Sequence, residues 1–186
     1  MAIFFTSDTH FNHKNIITFV NRPFETVEQM NHYLIKIWND TVSKHDIIYH
    51  LGDFGFGSED ELENIISQLN GKIILVKGNH DNNRVFRKLK EKELLYEYHE
   101  MGLRIRHNKH KLYLTHYPLV ISEKPKQWSI HGHVHGQESP YKNHLNVCLD
   151  SYDLKDRKPF GKPIGMDELM NMIEQKKKRW FHQEVK

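Results

Sequence analysis

The chain has 186 residues, of which 38% are hydrophobic and 27% charged, with six prolines and ten glycines; this suits one globular domain and excludes a collagenous, low-complexity or disordered chain. Residues 1–150 carry 18 Lys+Arg and 18 Asp+Glu, and residues 151–186 carry nine against six, so the formal +3 lies entirely in the C-terminal segment; so small a bias does not announce a nucleic-acid binder. No run approaches about 18 apolar residues, which excludes a membrane-spanning helix.

Ile3-Phe4-Phe5-Thr6 reads as a short buried strand ending at Ser7-Asp8. After Pro23, the apolar residues Val27, Met30, Leu34, Ile37 and Trp38 recur at helical period. Asp46–Leu51 is a second buried strand, punctuated by Gly52-Asp53. Ser58 and Glu61 form a capping box ahead of Leu62, Ile65, Ile66 and Leu69, and Asn70-Gly71 stops that helix. Ile73–Val76 is a third strand, running into Lys77-Gly78-Asn79-His80-Asp81. Strand, helix, strand, helix, strand within the first 76 residues predicts α/β layering with parallel neighbours. Leu94–Tyr98, Leu103–Arg106, Lys111–Thr115, Trp128–Ile130 and His144–Leu149 then read as short strands. Met166, Leu169, Met170 and Ile173 predict a final helix over about 166–180, with acidic residues in its first turn and Lys176–Arg179 in its last. A single domain over residues 1–186, with no internal repeat or linker, is expected. Met1–Phe5 lacks the basic start of a signal peptide, and Cys148 is the sole cysteine, so the expected compartment is the cytoplasm.

Histidine is the compositional outlier, at 15 residues. Polar residues that bind metals collect just after predicted strands: Asp8-Thr9-His10, Gly52-Asp53, Gly78-Asn79-His80-Asp81, His116, and His131-Gly132-His133-Val134-His135. Each cluster alone also suits an ordinary turn or a structural histidine. Their ordered recurrence at strand ends is the stronger signal, because loops of several strands converge beyond the carboxyl edge of an α/β sheet.

The order D-x-H, G-D, G-N-H-D, H, G-H-x-H resembles the calcineurin-like metallophosphoesterase superfamily over roughly residues 3–150. The resemblance implies an α/β fold, a four-layer sandwich of two mixed β-sheets flanked by helices. It implies two divalent ions at the strand ends, one held by Asp8, His10, Asp53 and His135 and the other by Asp53, Asn79, His116 and His133, with Asp53 bridging. It also implies His80 as the general acid that protonates the leaving alkoxide after attack by a hydroxide the two ions share. Mixed imidazole, carboxylate and amide donors suit borderline ions such as Mn²⁺, Fe²⁺ or Zn²⁺; Mn²⁺ is the foremost expectation, with Fe²⁺, Zn²⁺, Ni²⁺ or Mg²⁺ as the other choices. Protein phosphatases of this superfamily extend G-D to G-D-x-x-D-R-G; here Phe54-Gly55-Phe56-Gly57 follows and no arginine is supplied, which discounts that branch. The closer likeness is to small bacterial and phage-type phosphoesterases.

Arg22, Asn12 and His13, downstream of the first motif, are candidate substrate contacts, with a structural salt bridge as the other role for Arg22. His50 and His131 are candidates for supporting roles. Residues 84–111 carry nine Lys/Arg against four Asp/Glu, which would steer an anionic substrate or form a solvated helix and hairpin. The expected activity is hydrolysis of a phosphodiester: a nucleotide, a cyclic nucleotide or a nucleic-acid end. The alternatives are a phosphomonoesterase, a partner-binding scaffold of the same fold, and a nucleic-acid-binding module using the basic 84–111 stretch.

Overall fold

The computed structural model describes residues 1–183. In chain order its elements are β1 (Ile3–Thr6), α1 (Lys14–Phe19), α2 (Val27–Thr41), β2 (Ile47–His50), α3 (Glu59–Ile66), β3 (Lys72–Val76), α4 (Asn83–Glu91) and β4 (Glu97–His99), followed by β5 (Leu103–His107), β6 (His110–Leu114), β7 (Gln127–His131), β8 (His144–Asn146), a 3₁₀ turn (Tyr152–Leu154), β9 (Ile164–Gly165) and α5 (Met166–Gln183). One sheet has the order β4-β3-β2-β1-β9, parallel except for the antiparallel edge β9. The other has the order β5-β6-β7-β8, with an antiparallel β5–β6 pair and parallel pairs beyond it.

Two mixed sheets with flanking helices therefore form the α/β architecture. Strands β1 to β3 are apolar on both faces because both faces are covered. On one face Ile48, Ile73 and Leu75 meet Met30, Leu34 and Trp38 of α2, Leu62, Ile65 and Ile66 of α3, and Phe86 and Leu89 of α4. On the other, Phe5, Tyr49, Ile74 and Val76 pack with Leu112, Leu114, Trp128, Ile130 and Leu145 of the second sheet, and α5 adds Met166, Leu169 and Ile173. The capping box at Ser58 is present, with Glu61 returning the bond to the Ser58 backbone N–H at 2.7 Å.

Several elements differ from the sequence expectation. Helix α1 was not expected: it has six residues, no side-chain cap and one buried residue, Ile16. The helix through Leu69 ends at Ile66, and Gln68 and Leu69 close a turn by bonding the carbonyls of Ile65 and Ile66. The strand expected over 144–149 stops at Asn146, because the chain changes sheets there. Asn146 Oδ1 accepts the Cys148 N–H at 3.0 Å, and Cys148 then pairs in parallel with Ser7 beyond β1. No described helix is long and apolar enough to cross a membrane.

Candidate metal centre

The loop after β1 runs beside the loop after β2. Asp8 N–H donates to the Gly52 carbonyl at 2.9 Å, His10 N–H to Asp53 at 3.0 Å and Phe11 N–H to Phe54 at 2.9 Å. Asp8, His10, Asp53, His133 and His135 all lie in the left-handed region, with φ of 56°, 50°, 52°, 70° and 44°. Such backbone costs of order 1–3 kcal/mol per residue and persists only where its surroundings over-determine it. Two glycines show how closely the loops are drawn in. A Cβ on Gly78 would stand 2.1 Å from Asp53 Oδ1, and one on Gly132 would stand 2.1 Å from Asp8 Oδ2. The carboxylates are held by backbone: His80 N–H donates to Asp53 Oδ1 at 2.9 Å, and His133 N–H to Asp8 at 3.1 and 3.2 Å. Asp81 fastens the same loops from below by accepting the N–H groups of Asp53, Phe54 and Gly78.

The structure brings all seven motif-derived donors and His80 into one cleft. Atoms of Asp8, His10 and Asp53 come within 4.8 Å of one another. His10 Nε2 is buried without a hydrogen-bond partner, 3.6 Å from Asp53 Oδ2 and 4.0 Å from Asp8 Oδ1. His135 Nε2 lies 3.9 Å from Asp8 Oδ1. Across Asp53, His116 Nε2 is 3.5 Å from Asp53 Oδ2 and 2.9 Å from Asn79 Oδ1. The Leu51 carbonyl, 2.8 Å from His116 Nδ1, can only accept, so Nδ1 carries a proton and Nε2 is the ring nitrogen directed at those oxygens. His133 stands edge-on to His116, with ring centroids 5.0 Å apart.

Burial pushes the Asp8 carboxyl above its ordinary range, against the opposing pull of His116 and His135, and pushes the His10 imidazole down to about 2. Converging electron-pair donors, an orphaned imidazole nitrogen and carboxylates short of counter-charge fit a divalent cation. Cys148 also approaches Asp8 and His135, with the three donor atoms within 4.8 Å of one another, and burial raises its thiol well above the usual range.

Two of the candidate substrate contacts are corrected. Arg22 does not face the cleft: it is buried behind the first loop, bonded to Asp150, to the carbonyls of Asp8 and Thr9 and to Met30 Sδ. Asn12 is also committed internally, exchanging bonds with Asn31 and donating to the Phe56 carbonyl. His13 stays at the rim, its ring 4.2 Å from Phe56 and 6.2 Å from His80. His80 is exposed, its ring 5.2 Å from Phe56 and 5.6 Å from His10. His50 lies beneath the cleft, with Nε2 2.9 Å from Thr9 Oγ1, and His131 is buried below the His133 loop. Three of the nine cations of the basic 84–111 segment are paired: Lys88 and Lys92 with Glu59 and Glu63 of α3, and Arg87 with Glu100. Sequence reasoning missed Asp150. Its signal was present, since Val147-Cys148-Leu149 is an apolar run ending in a carboxylate, the pattern that marked Asp8 and Asp53.

The family model described as the Calcineurin-like phosphoesterase superfamily domain matches residues 1–148. The chain is similar to the uncharacterized protein MJ1445 of Methanocaldococcus jannaschii, 34% identical over 184 residues that cover 94% of this chain and 93% of that protein. It is also similar to the Gene 66 protein of Mycobacterium phage L5, 27% identical over 202 aligned positions that cover 91% and 92% of the two chains. Among solved structures, the protein of unknown function AQ665 from Aquifex aeolicus superposes with a TM-score of 0.69 at 26% identity, covering 92% of this chain and 98% of its own.

Proposed function

Because the chain belongs to the calcineurin-like phosphoesterase superfamily, a family of metal-dependent phosphoesterases, we propose that it hydrolyses a phosphodiester with two divalent ions, Mn²⁺ foremost. Asp8, His10, Asp53 and His135 would hold one ion, and Asp53, Asn79, His116 and His133 the other. The observation that carries this reading is the meeting of two imidazole nitrogens on one carboxylate oxygen: His10 Nε2 at 3.6 Å and His116 Nε2 at 3.5 Å from Asp53 Oδ2. When bound, such ions supply a water of lowered pKa and neutralise charge on the phosphoryl oxygens.

The chain's own groups do the rest. Asp53 offers one oxygen to both histidines while its other oxygen accepts the His80 N–H, so the imidazole is registered to the shared carboxylate. His80, exposed above the cleft, delivers a proton to the leaving alkoxide. His13, beside it on the Phe56 ring, contacts the substrate. A diester is favoured over a monoester because a dianionic phosphate calls for added cations. Arg22 spends its guanidinium on protein groups and Lys77 donates to the Gly78 carbonyl at 3.0 Å. The substrate class is a nucleotide, a cyclic nucleotide or a nucleic-acid end.

Purified protein should hydrolyse bis-nitrophenyl phosphate with a higher kcat/KM than the mono-ester under one Mn²⁺ concentration, and chelation should abolish both activities. Activity that survives chelation contradicts the metal reading, and a clear preference for the monoester contradicts the diester reading alone.

A further inference from the structure

Arg22 and Asp150 are 128 residues apart and meet behind the cleft, with side chains 0% and 6% exposed. Every guanidinium proton is used. Nε donates to both Asp150 oxygens at 3.1 and 3.2 Å, and Nη2 to Asp150 Oδ2 and the Asp8 carbonyl, each at 2.7 Å. Nη1 donates to the Thr9 carbonyl at 2.8 Å and to Met30 Sδ at 3.5 Å. The same Asp150 Oδ2 lies 3.2 Å from His135 Nδ1.

A buried ion pair is a poor stabiliser in itself, since desolvating two charges costs several kcal/mol per ion. This one connects two distant parts of the site. Through the carbonyls of Asp8 and Thr9 it grips the loop in which Asp8 and His10 are held left-handed. Through Asp150 it holds the ring of His135, itself left-handed. A carboxylate only accepts, so Nδ1 carries a proton and Nε2, 3.9 Å from Asp8 Oδ1, is the nitrogen left to ligate an ion. Carboxylate partners of this kind orient a ligating imidazole and raise its basicity.

We propose that Arg22 and Asp150 are positioning residues that set the divalent-ion affinity of the Asp8–His10–His135 side of the site. The inference rests on the two-ion reading above. Neither residue is within the motif-derived donor set, and neither touches substrate.

The test is equilibrium binding of Mn²⁺ to metal-free protein, read directly as ions bound per chain. Asp150→Asn and Arg22→Met should each weaken one of two bound ions about 10–100-fold and leave the other unchanged. In a His135→Ala background, Asp150→Asn should cost less than in the wild type, because its route through that imidazole has gone and only its hold on Arg22 remains. A merely structural role predicts equal weakening of both ions, or the same loss with and without His135; either result overturns the proposal, as does wild-type affinity in Asp150→Asn. Thermal unfolding of the metal-free variants identifies a misfolded protein. If Arg22→Met fails to fold, Arg22→Lys retains the charge without the planar fork and should show a partial loss at the same ion. A second readout needs no metal. The nitrogen-15 spectrum of metal-free wild type should show His135 protonated at Nδ1, and Asp150→Ala should lose that preference. An unchanged tautomer in Asp150→Ala overturns the proposal, whereas wild-type protein that binds no ion at all overturns the two-ion reading first.

Discussion

On one side of Asp53, the donors Asp8 and His10 are almost wholly buried, and His135 is backed by a carboxylate that is itself paired to a buried guanidinium. On the other side, His116 is as buried as His10 but is oriented by a neutral carbonyl, Asn79 is exposed, and His133 lies against the ring of Tyr117, a side chain 53% exposed. Electrostatics explains why the anchoring differs. The deep side gathers carboxylates where water does not screen them, and burial pushes the Asp8 carboxyl above its ordinary range. There a buried ion pair backs His135 from behind; on the open side a backbone carbonyl holds His116, and of the donors only Asn79 is left exposed to solvent. Two ions held this way should bind with different affinities, the deep one more tightly.

Four substitutions or conditions probe that contrast, in decreasing order of expected effect. Asp53→Ala removes the oxygen both sides share and should lose both ions and all turnover, read by metal analysis and a diester assay. Retention of either ion by this variant would show that the two sides do not depend on Asp53. His80→Ala should disturb neither side: both ions stay, and the rate on a poor leaving group falls about 10²–10⁴-fold. That loss should shrink for nitrophenolate, which needs no proton; equal losses on both substrates remove His80 from the acid role.

Gly132→Ala should act on the deep side alone. Its Cβ would fall 2.1 Å from both Asp8 Oδ2 and Ser7 Oγ. Overpacking of this kind costs about 1–3 kcal/mol, visible in denaturant unfolding of metal-free protein, together with weaker binding of one ion. Unchanged stability and binding would mean that the loop yields freely. The smallest effect lies beneath both sides. Burial holds the imidazoles of His50 and His131 down to about 3 and about 4, from an ordinary 6.5. The unfolded chain therefore takes up these protons first. Their contribution to stability is complete above about pH 6.5 and is lost as pH falls toward the folded values, at up to about 1.4 kcal/mol per pH unit for each. Metal-free protein should unfold at lower urea at about pH 5 than at about pH 7, and His50→Gln should flatten the difference. Identical midpoints at the two values would contradict the assignment.

The same contrast explains what could be read in the sequence. Strands β1, β2 and β3 are legible because a strand covered on both faces is an unbroken apolar run, and the polar donors stand out where each run stops. Helix α3 announces itself by its cap. Helix α1 and strand β9, of six and two residues, are too short for any period to register. The early end of β8 depends on a sheet change at Cys148 that no local pattern encodes. Motif spacing put the donors and His80 in one cleft, but spacing does not tell which way a side chain turns. Arg22 and Asn12 lie close in sequence to the first motif and yet face the interior, while Asp150, 142 positions after Asp8, completes the deep side.

The central claim is a shared carboxylate serving two unlike cation sites, and the stoichiometry of Mn²⁺ binding to metal-free protein measures it most directly. The account predicts two ions per wild-type chain in two affinity classes, with both classes lost in Asp53→Ala. One ion per chain, two indistinguishable ions, or binding that survives loss of Asp53 would contradict it.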